Sequence, residues 1–358
     1  LTVAANLVGV SDSSSTATIG GSTQVRIDGG AALSAGTLTT TAATVNDADA
    51  RADYAGISGV DIQLVDIRAQ TDHATLAALG PAPGALPSGA ATTLTVGSGG
   101  IDLVATSTNT ADVGQVSLSA EAVGILALQP EADAGGRTDA RVGGAFTVNA
   151  SSLDATASSS NTALAQAVSF EASAFELDLT ERSARTTHET RADVSRNASL
   201  QAGGATVALD ASSTSNASVD QITLVDFGAI ELNFVKSTAA VEGATRATVE
   251  DGASLTAAAL DVDAASDNDA RVLGFRLSVS AFDLQVINPQ ARTDHDTSAG
   301  FGPVPGGSPA AGPTGTLNVG GTITLDAVSQ NDARVDGVEI GLSGISVNVV
   351  RPEILVGG

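Results

Sequence analysis

The three histidines of the chain share one address. His73, His188 and His295 each stand at the same interval after an asparagine, namely Asn46, Asn161 and Asn268. Each has acidic company, in Asp72-His73, His188-Glu189 and Asp294-His295-Asp296, and each follows a threonine two positions earlier, Thr71, Thr186 and Thr293. Imidazole next to carboxylate is the raw material of a metal site or of acid–base work. Asp72, His73, His188, Glu189, Asp294, His295 and Asp296 are therefore the candidate metal ligands. Aspartates also gather around the asparagines, at Asp47, Asp49, Asp261, Asp263, Asp267, Asp269 and Asp332. Calcium, which takes six to eight oxygens, is the one cofactor these suggest, as solvent-side contacts. The glycine-rich nonapeptide of calcium β-rolls is absent.

The elements that position these residues repeat. Around Asn268, small or apolar residues alternate at Leu260, Val262, Ala264, Ser266, Ala270 and Val272, the mark of a strand with one buried face. After Gly274 the apolar residues switch parity to Phe275, Leu277 and Val279, and after Ala281 they switch again to Phe282, Leu284 and Val286. Such switches imply corners or bulges, because a strand otherwise keeps the face it buries.

The same register recurs at Asn46, Asn109, Asn161, Asn216 and Asn331, with longer intervals from Asn46 to Asn109 and from Asn268 to Asn331 than between the others. At one fixed offset after the anchors stand Ile62, Ile125, Leu177, Leu232, Leu284 and Val347. At a second, after the first five anchors, stand Ala69, Ala132, Ala184, Ala239 and Ala291. The copy at Asn216 has one extra residue, which implies a bulge ahead of it, and it matches poorly at Ser218 and Asp220. Both long intervals contain a Pro/Gly insert at the same place, residues 81–89 and 303–315.

These features predict an all-β parallel β-solenoid of six or more repeats of about 52–63 residues. It forms one continuous body over residues 1–358. Units run at about 31–89, 90–144, 145–197, 198–252 and 253–315, with partial units at 1–30 and 316–358. A lone unit of alanine and valine buries too little to stand alone, whereas stacked copies pair every backbone group with the coil above and below. The asparagines Asn46, Asn109, Asn161, Asn216, Asn268 and Asn331 are then expected to form a hydrogen-bonded column. The spacing leaves open whether a unit is one large coil or two of about 26 residues each, and two Gly-rich turns per unit favour two. Coils stack about 4.8 Å apart, so histidines two units apart are at least about 9.6 Å apart and cannot share one ion bound at about 2 Å. The competing assignment is a repeated surface rung, or a lateral contact between fibres, that odd-numbered units present.

Composition sets the remaining bounds. Aromatics are 3% of residues and Trp, Met and Cys are absent, so the core must be thin layers of Ala, Val, Leu and Ile, with no disulfide and no thiol chemistry. The formal net charge of −24 opposes binding to nucleic acid and to anionic lipid. No run of about 18 apolar residues occurs, so no membrane insertion is expected. Leu1 and Gly358 both fall mid-pattern, so the chain reads as a window onto a longer repetitive protein.

The segment RATVEDGASLTAAALDVDAASDNDA, residues 246–270, reads as a Thr/Ala strand, a Gly-containing turn, a short strand and a Val/Ala/Ser strand. This phrase, repeated along essentially the whole chain, resembles large bacterial surface adhesins of the filamentous-haemagglutinin type, and above all the leukotoxin-type filamentous adhesins. The resemblance implies a parallel β-solenoid on an exported filament or adhesin at the bacterial cell surface, without a catalytic motif. The Pro-rich inserts and the acidity depart from that family's repeats. Expected partners are neighbouring solenoid segments, end to end or side by side, and host or matrix glycans. A calcium- or glycan-binding module in the same fold is the alternative. A polysaccharide lyase or hydrolase ranks behind both: Arg185, Arg191 and Arg292 lie near the histidines, yet no nucleophile–base pair is present.

Overall fold

A computed structural model describes residues 2–28, 32–80, 92–144, 146–303 and 315–357. Among these residues every element is a strand. Seven long strands form one parallel sheet: β1 (Thr2–Ile27), β3 (Leu38–Leu79), β5 (Ile101–Val142), β7 (Leu153–Thr186) continued by β8 (Glu189–Val194), β10 (Thr206–Glu250), β12 (Ala259–Gly302) and β14 (Ile323–Val350) continued by β15 (Glu353–Gly357). Short strands precede all but the first: β2 (Leu33–Ala35), β4 (Thr92–Val96), β6 (Phe146–Ala150), β9 (Ser199–Ala202), β11 (Ser254–Ala257) and β13 (Leu317–Val319). They stack in order into a second parallel sheet. Each expected full unit thus begins just before a short strand, and the chain is a parallel β-solenoid. The insert at 81–89 lies outside the described residues, as do all but the ends of the insert at 303–315.

Register settles the coil question. Asn46 pairs with Asn109, and Asn109 with Asn161, each a whole unit away, and pairing continues along the strands from Leu38↔Ile101 to Leu79↔Val142. Each unit is one large coil, not two of half its length. The Gly-rich turns at 97–100 and 203–205 join the short strand to the long one rather than closing a second coil. Coils one to six are numbered here by their long strands, β3 to β14, and the partial coil β1 precedes them. At about 4.8 Å per coil, seven stacked long strands span six spacings and rise only about 29 Å.

Within a coil the long strand runs out, reverses and returns, so that its two arms face each other. Ser107 of the outgoing arm and Thr138 of the returning arm hydrogen-bond across the interior at 2.6 Å. The interior is layered. At the base, the short strands close an apolar core that includes Leu94, Leu103, Val142, Phe146, Leu200 and Leu260. Beyond a polar rung lies a second apolar core, with Ile67, Val113, Leu128, Val219 and the alanine file Ala69, Ala132, Ala184, Ala239 and Ala291.

Past this second core the sequence-based expectation is corrected. Gly274 is not a corner. Pairing runs unbroken from Val272↔Val335 to Ser280↔Ser343, and the even-numbered residues stay inside, so Arg276, Ser278 and Ser280 are buried while Phe275, Leu277 and Val279 face outward. The real corner is at Ala281. Its file, Gly59, Ala122, Ala174, Ala229, Ala281 and Gly344, is skipped by the pairing in every coil. There the parity does change, but Asp283 and Gln285 turn inward and Phe282, Leu284 and Val286 turn out. The tip of the solenoid is inside-out: polar in its lumen and apolar on both outer walls.

The extra residue of coil four is likewise not ahead of Asn216. The register shifts between Thr223 and Asp226. Up to that bulge Ala217 pairs with Ala270 and Val219 with Val272. Aligning Asn216 with Asn268 would instead have driven Ser218 and Asp220 into the core files, so apolar burial overrules the asparagine match.

Candidate functional site

The histidines do not lie on the surface rung anticipated from sequence. His188 and His295 are 1% and 0% exposed and His73 is partly buried, each between the two apolar cores. Each ring hydrogen-bonds through Nε2 with a threonine of the preceding coil: His73 with Thr23 at 3.1 Å, His188 with Thr138 at 2.8 Å and His295 with Thr245 at 2.9 Å. Thr138 and Thr245 belong to a bridge that crosses every full coil, whereas Thr23 lies in the partial coil β1. Thr44–Thr75, Ser107–Thr138, Ser159–Thr190, Ser213–Thr245 and Ser266–Thr297 join the two arms at 2.6–2.7 Å.

Histidine alternates with glycine in this file. Gly21 pairs with His73, His73 with Gly136, and Gly243 with His295. All three glycines have positive φ, 118°, 118° and 126°. A Cβ on Gly136 would stand 2.4 Å from the His73 carbonyl oxygen, and one on Gly243 would stand 2.3 Å from that of His188. The glycine coil supplies a left-handed corner that lets the neighbouring backbone come close, and the histidine coil supplies the ring that fills the interior. At this file the pattern repeats every two coils. The sequence signal for it was glycine, Gly136 and Gly243, at the histidine interval after Asn109 and Asn216.

Burial explains the electrostatics. Desolvation holds His188 at about 4, despite a backbone hydrogen bond to Gly135 and nearby Glu189. It also lowers His295, against Glu242 and Asp296. Both are neutral fillers at neutral pH. Their acidic neighbours point the other way: Asp72, Asp294 and Asp296 are exposed and Glu189 half-buried. Strand alternation separates adjacent side chains onto opposite faces, so the structure does not bring the candidate ligand set together. Among the described residues no group of three His, Asp or Glu side chains is placed to hold a metal ion. The aspartates near the anchors lie along the outside, where partial burial and mutual repulsion raise Asp263 and Asp269. Arg185 pairs with Glu242, Arg191 with Glu189 and Arg292 with Asp294.

The asparagine column exists with one correction. Asn46 Nδ2 donates to Asn109 Oδ1, Asn109 to Asn161 and Asn268 to Asn331, each at 2.8 Å. In coil four the bulge comes too late, so Ser215 takes the place and Asn216 is turned out to solvent. Asn161 reaches Ser215 only at 3.4 Å, and Asn268 Oδ1 is left without a partner.

Sequence reasoning missed the polar lumen of the tip. Arg276 and Glu231, 10% and 0% exposed, form an ion pair at 3.1 Å. Gln63 donates to Asp61 and Gln285 to Asp283, and Ser173 donates to Glu176 at 3.2 Å. Burial and Asp61 push Glu121 up to about 7. A cavity of about 390 Å³ runs between the arms, lined in part by Glu171, Asp178, Asn233 and Arg276. Outside this lumen sit six of the eight phenylalanines: Phe170, Phe175, Phe227, Phe234, Phe275 and Phe282. Ile57, Leu118, Phe227 and Leu179 are 69%, 49%, 48% and 44% exposed. The tip therefore presents an exposed apolar, aromatic-bearing wall. No family model, curated protein or solved structure matches the chain.

Proposed function

We propose that the chain is a structural, adhesive segment of an exported bacterial filament or giant surface adhesin, whose work is mechanical spacing and surface contact rather than catalysis. The observation that carries this reading is the continuous parallel ladder. Strands of 42–45 residues pair residue by residue with both neighbours in the middle coils, and a rung of serine and threonine hydroxyls ties the two arms of each full coil together. Such a body is quasi-one-dimensional and lengthens by adding coils, each supported only by the next. The resemblance to filamentous adhesin repeats points the same way.

Pulling the protein between its first and last coils tests this. A stack should peel one coil at a time, so the force trace should show steps of about 190–230 Å, the contour length of one unit. A single all-or-none rupture would argue against it. Calcium titration against the melting temperature and a turnover assay on acidic polysaccharides separate the rival readings. The mechanical reading expects neither a shift of many degrees nor product.

A further inference from the structure

The returning arm's outer wall at the tip carries three apolar files over six coils. The outermost is Val60, Val123, Phe175, Ile230, Phe282 and Ile345. The next is Ile62, Ile125, Leu177, Leu232, Leu284 and Val347, and the third Leu64, Ala127, Leu179, Phe234, Val286 and Val349. None of these residues is charged, in a chain of net charge −24. Six coils about 4.8 Å apart and three outward residues about 6.6 Å apart cover about 570 Å². Two such walls face to face would bury about 1,140 Å², above the roughly 1,000 Å² that marks a specific interface.

Lys236 pairs with Glu181 at 2.6 Å and Arg68 with Glu131 at 3.6 Å within one chain, and it is the order of the charges along the wall's inner margin that points to the occupant. Read from coil one to coil six, the first polar file is Asp66, Gln129, Glu181, Lys236, Asn288 and Arg351. Reversed against itself, it sets Asp66 on Arg351, Gln129 on Asn288 and Glu181 on Lys236. The next file is Arg68, Glu131, Ser183, Thr238, Gln290 and Glu353. Its reversal sets Arg68 on Glu353, Glu131 on Gln290 and Ser183 on Thr238. Both files turn into their own complement when the coil order is inverted, with no like charges opposed. That is the symmetry of a two-fold axis lying along the strands, midway between coils three and four, and an isologous interface requires such self-complementarity. An anionic lipid surface has no comparable match, because the same margin carries Asp66, Glu131 and Glu181.

We propose that this wall binds a second copy of the chain face to face and antiparallel, with the β1 coil overhanging at each end. The apolar files form the dry centre and the reversed charge files fix orientation and register. This goes beyond the filament reading and does not depend on it, since a rod of any function could pair in this way.

Sedimentation velocity across about 1–300 µM tests the proposal. The intact chain is expected to shift from monomer to dimer. Lys236→Glu opposes Glu181 of one copy to an acid on the other twice per dimer, and should raise the dissociation constant about tenfold or more. The double variant Glu181→Lys with Lys236→Glu should restore it to within about threefold. Both positions are exposed, and circular dichroism reports whether each variant keeps its fold. The chain has no cysteine, so a bismaleimide of about 10 Å reach, the face-to-face sheet spacing, should join Asp66→Cys to Arg351→Cys, both exposed, in a mixture of the two variants, and should not join like with like, which in these end coils lie about 26 Å apart across the pair. A chain that stays monomeric at the top of that range overturns the proposal. So do dimers indifferent to Lys236→Glu, a charge swap that fails to restore binding, like-with-like cross-linking, or flotation of a monomeric chain with neutral phosphatidylcholine vesicles.

Discussion

Replacing Gly243 by alanine tests the alternating corner directly. Its φ of 126° is closed to alanine without strain, and the new Cβ would stand 2.3 Å from the His188 carbonyl oxygen. The left-handed backbone costs about 1–2 kcal/mol. Forcing a methyl against fixed backbone adds about 1–3 kcal/mol. The stiffer unfolded chain returns about 0.4–1 kcal/mol, so Gly243→Ala should destabilise by about 1–5 kcal/mol. Gly274→Ala is the control, since nothing lies within 4 Å of its added Cβ and its φ is not in the left-handed region. That change should be neutral or stabilising by less than about 1 kcal/mol. Urea unfolding followed by far-UV circular dichroism reads both, and stacked coils call for comparing transition midpoints rather than assuming one two-state transition. Equal midpoints for the two variants would refute the assignment of Gly243 to a strained corner under the His188 coil.

Four further outcomes are expected. His188 is neutral and buried in the fold, so its folded pKa of about 4 lies below its ordinary 6.5. Its contribution is complete above pH 6.5 and is lost as pH falls toward 4, amounting to about 3 kcal/mol, and His188→Leu should flatten the stability profile across that window. Glu121 works in the opposite sense: its folded pKa of about 7 lies above the ordinary value, so stability falls as pH rises from about 4.5 to 7 and Glu121→Gln should remove that fall. Thr138→Val severs contacts with both Ser107 and His188 and should cost about 2–4 kcal/mol by denaturant midpoint. Ser215→Asn should complete the amide column between Asn161 and Asn268 and raise stability by about 1 kcal/mol, whereas Asn216→Ser, at an exposed position, should change it by less than about 0.5 kcal/mol.

The fold was legible because stacking turns sequence spacing into spatial files. Ala69, Ala132, Ala184, Ala239 and Ala291 keep a constant offset from the anchors in sequence and occupy one buried file in space. The corner at Ala281 was visible for the same reason. What alternation cannot supply is which of two alternating sets faces inward. Phe275, Leu277 and Val279 look like a core-facing set, yet the strand passes Gly274 without a bulge and carries Arg276, Ser278 and Ser280 inside. Their placement depends on the facing arm, where Asp283 and Gln285 also turn inward, and that pairing spans the coil rather than the local sequence. At the histidines the acidic neighbours suggested a site, but adjacent residues of a strand cannot share a face. The threonine two positions before each histidine shares its face, as does the threonine two positions after, which holds the bridge. At Asn216, matching residue type was outvoted by the burial of Ala217 and Val219.

The central claim is that one unit makes one complete coil, so that residues a unit apart are immediate neighbours. Nitroxide labels at Asp267→Cys and Gln330→Cys, exposed partners of one file, measure it directly because the chain has no other cysteine. Adjacent coils place the two backbones about 4.8 Å apart, and the doubly labelled protein should show strong dipolar broadening that is absent from either single label. A spectrum equal to the sum of the single labels would contradict the one-coil stack.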